Sequence, residues 1–311
     1  MCAFGFCDPP GRSEYFTEWS LPVIRRRPAS NPFDVRDGRA MVSLGPLSDK
    51  RFCTYNCPFC YVHSDFLSFG SLNVPQIVEW LSECRELYDI VYISGDTDSF
   101  APPRTNAGLE LIESIIKLDV DVLFTTRAIF SPEQLSQLAD LAAVQAKKGR
   151  LLFGCVSVAQ LSFPHLEPKP IPPATRRIEQ LAAFKSIGLV SVLAMRPFLP
   201  IVPVTEYLEI LRLAQSGIHF VLGEVWYADP GGLLERGVFR GPTPDTSIFT
   251  SGYMTFDTNT SPWRVFEARD IEAVVADFCR TNGVPFFMRS RPGIEWARAA
   301  LGPSTLTVKQ Q

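Results

Sequence analysis

Cys53-Thr54-Tyr55-Asn56-Cys57-Pro58-Phe59-Cys60 sets three cysteines in a C-x3-C-x2-C run with no fourth cysteine beside it. Three thiolates on one tight loop hold a metal centre and leave it one ligand short. A four-iron four-sulfur cluster bound this way keeps one iron open, and a small molecule that coordinates there can receive an electron from it. The run also bears on architecture. It follows the apolar stretch Met41–Leu44 and precedes a helical pattern, where a barrel strand presents its C-terminal end. Zinc is the alternative occupant: Cys53, Cys57, Cys60 and His63 make a Cys3His set, although zinc ligands usually come in two separated pairs.

The run resembles the signature of the radical S-adenosylmethionine (radical SAM) superfamily, C-x3-C-x-aromatic-C, with Phe59 as the aromatic residue. The resemblance implies that Cys53, Cys57 and Cys60 ligate a 4Fe-4S cluster and that Phe59 packs near the adenine of S-adenosylmethionine. That cofactor's amino and carboxylate groups would chelate the open iron. An electron from the reduced cluster would then cleave the sulfonium to a 5′-deoxyadenosyl radical.

Outward from the loop, strand and helix patterns alternate. Asn73-Val74-Pro75-Gln76 reads as a helix start with a capping box, and Ile77, Trp80, Leu81, Cys84 and Leu87 recur at helical spacing, which makes Cys84 a core residue. Strands are predicted over Ile90–Ser94, Val120–Thr126, Leu151–Val158, Leu189–Met195 and Phe220–Trp226. Helices are predicted over Ala107–Leu118, from the Ser131-Pro132-Glu133-Gln134 cap to about Lys147, and over Thr175–Ile187 and Thr205–Gln215. Such alternation folds as a parallel sheet wrapped by helices. We expect an α/β fold, a partial (β/α)6 TIM-like barrel over residues 40–227, with an N-terminal arm (1–39) and a C-terminal extension (228–311). After Tyr227, glycines and prolines predict a long irregular lid; a helix over Asp270–Arg280 and a final segment around Ile294–Leu301 are expected to dock on the bottom or side of the barrel.

Candidate site residues lie where the predicted strands end. Ser94-Gly95-Asp96 stands where the superfamily carries Gly-Gly-Glu, a turn that receives the cofactor's amino group; aspartate keeps the carboxylate with shorter reach. Thr126 and Arg127, Ser157, and the pair Glu167 and Arg177 resemble the spore photoproduct lyase branch, which implies contacts to the cofactor's carboxylate and ribose. Arginine replaces the lysine of that branch at 127, and the two are not interchangeable in geometry. Arg196 is a candidate clamp for a substrate carboxylate or phosphate, with Glu224 and Tyr227 as polar neighbours. Alternation puts Cys155 on the face of Ser157, one layer deeper, so Cys155 and Tyr227 are the candidates for returning a hydrogen atom.

Composition narrows the class. With 311 residues, 46% of them hydrophobic, the chain can bury a large core. A net charge of −3, with Arg25-Arg26-Arg27 as the one basic run, argues against nucleic acid as partner and against a DNA-lesion lyase. No apolar run is long enough to span a bilayer, and eight cysteines with three spent on the loop do not form a secreted disulfide framework, so a cytoplasmic protein is expected. Cys2 and Cys7 in the arm, and Cys155 and Cys279 widely separated beyond it, are too few and too scattered for a second cluster, which predicts a single one. The expected partners are a small-molecule, nucleoside or peptide substrate, in a biosynthetic setting, and a reductant such as flavodoxin or ferredoxin. A zinc protein, or a cluster-bearing scaffold without catalysis, remains the reading from another class.

Overall fold

The computed structural model describes residues 34–36, 38–45, 53–63, 72–95, 97–241, 246–252 and 262–302. Helices start where the caps predict. Asn73 opens α1 (Val74–Glu83) and Ser131 opens α3 (Pro132–Lys147), each with a reciprocal box to the glutamine three residues on. The remaining barrel helices are α2 (Thr105–Ile115), α4 (Ala174–Ser186) and α5 (Val204–Ala214). They alternate with β2 (Arg39–Val42), β3 (Ile90–Ile93), β4 (Asp121–Thr126), β5 (Leu152–Ser157), β6 (Val190–Met195) and β7 (Phe220–Gly223), six mutually parallel strands in sequence order. The sheet curls into a half-barrel. β1 (Asp34–Arg36) extends one edge antiparallel to β2, and β11 (Phe286–Phe287) extends the other parallel to β7. β1 lies in the stretch read as an arm, most of which falls outside the described residues.

The strands are buried on both faces, as expected of a parallel sheet covered by helices. On the convex face Phe124 meets Phe100, Phe130 and Phe184 at centroid distances of 4.9, 6.1 and 5.6 Å. The concave face carries a separate core of Tyr92, Leu123, Phe153, Cys155, Val192, Ala194 and Leu222, joined by Ile294 and Ala297 of α8 (Ser290–Ala300). α8 is fixed at the strand starts: Arg298 donates to Asp121 (2.6 Å) and Asp89 (2.7 Å), and Arg291 donates to Asp89 (2.7 Å). The lower end of the concave face is thereby filled, and the polar upper end is left for chemistry.

The stretch after Tyr227 differs from the expected irregular lid. β8 (Trp226–Ala228), β9 (Phe249–Gly252) and β10 (Trp263–Phe266) form an antiparallel sheet in the order β8-β10-β9, with α6 (Leu233–Phe239) between β8 and β9. Three- and four-residue strands are too short to show a period of two, which is why glycine and proline dominated the sequence reading. The predicted strand Phe220–Trp226 is accordingly two strands in two sheets. α7 (Arg269–Thr281) then packs beside α5. No helix among the described residues is long and apolar enough to cross a membrane.

Candidate active site

The cysteine loop lies beyond β2 and is held from several sides. Cys60 N–H donates to Cys57 O (3.0 Å), Trp226 Nε1 to Phe59 O (3.0 Å), and Tyr61 OH to Gly95 O (3.0 Å). A Cβ on Gly237 would stand 2.7 Å from Pro58 Cβ, so the α6 backbone lies directly against the loop. None of the three cysteines is in a disulfide; Cys57 is buried and Cys53 and Cys60 are half-buried. Burial pushes the Cys57 thiol up, and the Arg127 guanidinium is the main influence pulling it down.

The donor set fits a cluster. Among the described residues no three of His, Cys, Asp and Glu converge as a single metal ion requires, whereas each thiolate of a cluster binds its own iron. Ser43 Oγ, Thr54 Oγ1 and Tyr55 OH, on the loop or just before it, are buried with no hydrogen-bond partner among the described residues. Buried hydroxyls without partners are costly, and Thr54 and Tyr55, within the cysteine run itself, leave two such groups for a polar occupant of the loop to satisfy.

Strand ends supply a charged wall beside the loop. From the segment after β3, Asp98 reaches the end of β4, accepting from Arg127 N–H (2.6 Å) and Thr126 Oγ1 (3.0 Å), and it also accepts from Phe100 N–H (3.0 Å). Burial pushes its carboxyl up, against these donors. The Arg127 guanidinium lies 5.7 Å from the centroid of the Phe59 ring and donates through Nε to Glu167 Oε1 (3.0 Å). Glu167 also accepts from Arg177, which is fully buried and in turn donates to Ser157 O, and from Gln160 Nε2 (3.0 Å). Burial pushes the Glu167 carboxyl up, but the Arg177 and Arg127 charges hold it below the ordinary carboxylate range.

A second network faces the concave side. Arg196 donates through Nη1 to Tyr92 OH (3.2 Å), Tyr92 OH bonds Thr125 Oγ1 (3.0 Å), and Thr125 stands opposite Cys155 in the β4–β5 register. Burial pushes the Cys155 thiol up to about 12, so it stays protonated. The carboxylate of exposed Glu224 stands 3.7 Å from Arg196 Nε, an atom that is buried without a hydrogen bond. This is a partly compensated cation at the mouth of the half-barrel.

A family model described as the Radical SAM superfamily matches residues 47–214, just over half of the sequence. The chain belongs to the radical SAM superfamily. Membership makes it an enzyme that works with a 4Fe-4S cluster and S-adenosylmethionine, a substrate and a reductant. No curated protein matches it. Among solved structures it is similar to a spore photoproduct lyase variant with AdoMet and dinucleoside spore photoproduct bound (12% identity, TM-score 0.58, 79% of this chain and 81% of that one). It is also similar to Streptococcus suis SuiB bound to S-adenosylmethionine (12% identity, TM-score 0.54, 82% of this chain and 51% of that one) and to SuiB bound to its precursor peptide SuiA (11%, 0.54, 82% and 50%). At such identities the likeness is one of fold.

Against this radical SAM fold, most candidate residues gather at the upper end of the sheet. Cys53, Cys57, Cys60, Phe59, Ser94, Gly95, Thr126, Arg127, Ser157, Glu167 and Arg177 surround or back the cysteine loop, and Cys155, Arg196 and Glu224 form the second network. Ser94 takes a left-handed backbone (φ 67°), with Oγ accepting from Ser99 N–H (2.9 Å). A Cβ on Gly95 would meet Met41 Cε at 2.6 Å. Asp96 lies outside the described residues. Tyr227 stands on β8 opposite Val265, in the second sheet rather than on a barrel strand. Sequence reasoning missed Asp98, Tyr92 and Thr125. The superfamily's Gly-Gly-Glu form drew attention to position 96 and away from the carboxylate two residues on. Tyr92 had a signal of its own, a polar group on the inward parity of an otherwise aliphatic strand.

Proposed function

We propose that Cys53, Cys57 and Cys60 hold a single 4Fe-4S cluster at which S-adenosylmethionine is reductively cleaved, giving a 5′-deoxyadenosyl radical that takes hydrogen from a small-molecule, nucleoside or peptide substrate. Three cysteines on one loop, none of them in a disulfide, with the buried unpartnered hydroxyls of Thr54 and Tyr55 in the same run, carry this reading. Cys84, Cys155 and Cys279, the other described cysteines, are buried in separate elements, which supports one cluster rather than two.

The chain's own work is positioning and exclusion. Phe59, Ser94, Gly95, Asp96, Thr126, Arg127 and Ser157 form the cofactor's side of the site. Glu167 and Arg177 are spent largely on each other, and their part is to fix the Arg127 side chain and the end of β5. Arg196 holds an anionic group of the substrate, with Glu224 giving way to it; a half-compensated buried guanidinium is suited to a carboxylate or phosphate. Cys155, protonated and opposite Thr125 on the concave face, is our candidate to return a hydrogen atom, with Tyr227 the less favoured donor on its position in β8. Residues 40–227 form the catalytic unit and 228–311 its extension, which backs the cysteine loop through Gly237, beside the bond that Trp226 makes from within the unit.

Deuterium transfer into 5′-deoxyadenosine from labelled candidates tests the substrate class. Peptides, nucleosides and small carboxylates or phosphates belong in the panel, together with a dinucleoside photoproduct. We expect transfer only from compounds carrying an anionic group, and a KM raised at least tenfold by Arg196→Gln. Transfer from a neutral compound with no sensitivity to Arg196→Gln would remove the clamp from the account.

A further inference from the structure

We propose that the charge of Arg127 sets how readily the bound cluster accepts its electron, and that Glu167 sets how strongly that charge is felt. This rests on the reading that Cys53, Cys57 and Cys60 hold the cluster. The Arg127 guanidinium lies over the ring of Phe59, which sits in the chain between Cys57 and Cys60, at 5.7 Å from the ring centroid. Only 18% of its side chain is exposed, so water screens it weakly. Its carboxylate partner among the described residues, Glu167, is shared with Arg177. One negative charge between two guanidiniums leaves this trio with a net positive charge. Asp98 opposes it from the backbone side, bonded to the Arg127 N–H and to Thr126 rather than to the guanidinium.

Reduction adds one negative charge to a cluster already bound by three thiolates, so a nearby, poorly screened cation favours the reduced form. Removing the cation makes reduction harder. Removing the Glu167 charge unmasks two cations and makes it easier. Arginine at 127, in place of a lysine, suits this role because the planar guanidinium faces an aromatic ring while its Nε is held by a carboxylate.

The test is the midpoint potential of the reconstituted cluster, read by anaerobic titration with electron paramagnetic resonance of the reduced form. Arg127→Gln is expected to shift it to more negative values, Glu167→Gln to less negative values, and Arg127→Lys to leave it near the parent. A purely structural role would not produce opposite signs. Unchanged potentials in Arg127→Gln and Glu167→Gln, or shifts of one sign in both, overturn the proposal. If only one of these two retains iron, the sign of its shift decides. If neither does, the network serves loop folding and the proposal is overturned. A parent protein that takes up no iron would instead sink the ligand assignment on which the proposal rests.

Discussion

Asp98 and Glu167 are both buried carboxylates at the site, and the structure supports them by different means. Asp98 is held by two backbone N–H groups and a hydroxyl, Glu167 by two guanidiniums. Asp98→Ala would leave these donors of Thr126, Arg127 and Phe100 without their acceptor, and we expect a loss of about 3 kcal/mol in urea denaturation together with poorer iron uptake. Trp226→Phe removes the bond to Phe59 O and part of a fully buried ring packed against Phe239 and Phe249, and should cost about 2–3 kcal/mol while iron uptake persists. The spacing of Cys53, Cys57 and Cys60 made the site legible from sequence, because a ligand loop is local. Asp98, Tyr92 and Thr125 were not, because their roles depend on which neighbouring strand end each side chain meets.

Elements followed the same division. The capped helices α1 and α3 and the aliphatic strands of the half-barrel were legible, since caps and buried parallel strands write themselves in short, local patterns. The second sheet was hidden, because its pairings join β8, β9 and β10 across long gaps in the chain. Contact between α6 and the cysteine loop gives a prediction at this scale. Gly237→Ala forces a Cβ against Pro58, and we expect a loss of about 1–3 kcal/mol with reduced iron retention. Arg298→Ala would strip the buried Asp121 carboxylate of its guanidinium at the foot of the barrel. A fall of about 3 kcal/mol in stability, with iron uptake retained in the folded fraction, is the outcome expected.

Across the whole molecule, pH bears on the fold through groups far from the site. Burial and the nearby Lys185 charge lower the His219 imidazole to about 4, and Ser191 N–H donates to its Nδ1 (2.9 Å), which must therefore be unprotonated. The unfolded chain binds a proton there below about 6.5 and the folded chain does not until about 4, so stability is complete above that window and falls as pH drops through it. Asp89 acts in the same direction. Burial raises its carboxyl, the Arg291 and Arg298 bonds outweigh this and lower it, and its contribution is lost further into acid. Thermal unfolding between pH 4 and 7.5 should show this decline, and His219→Asn should flatten its upper part. The central claim is that the half-barrel presents a three-cysteine cluster site for reductive cleavage of S-adenosylmethionine. It is tested most directly by chromatography for 5′-deoxyadenosine after anaerobic reconstitution with iron and sulfide and reduction with dithionite, for the parent and Cys57→Ala. The account predicts product from the parent and none from Cys57→Ala, which should not retain the cluster; a parent that binds zinc instead of iron and forms no 5′-deoxyadenosine would contradict it.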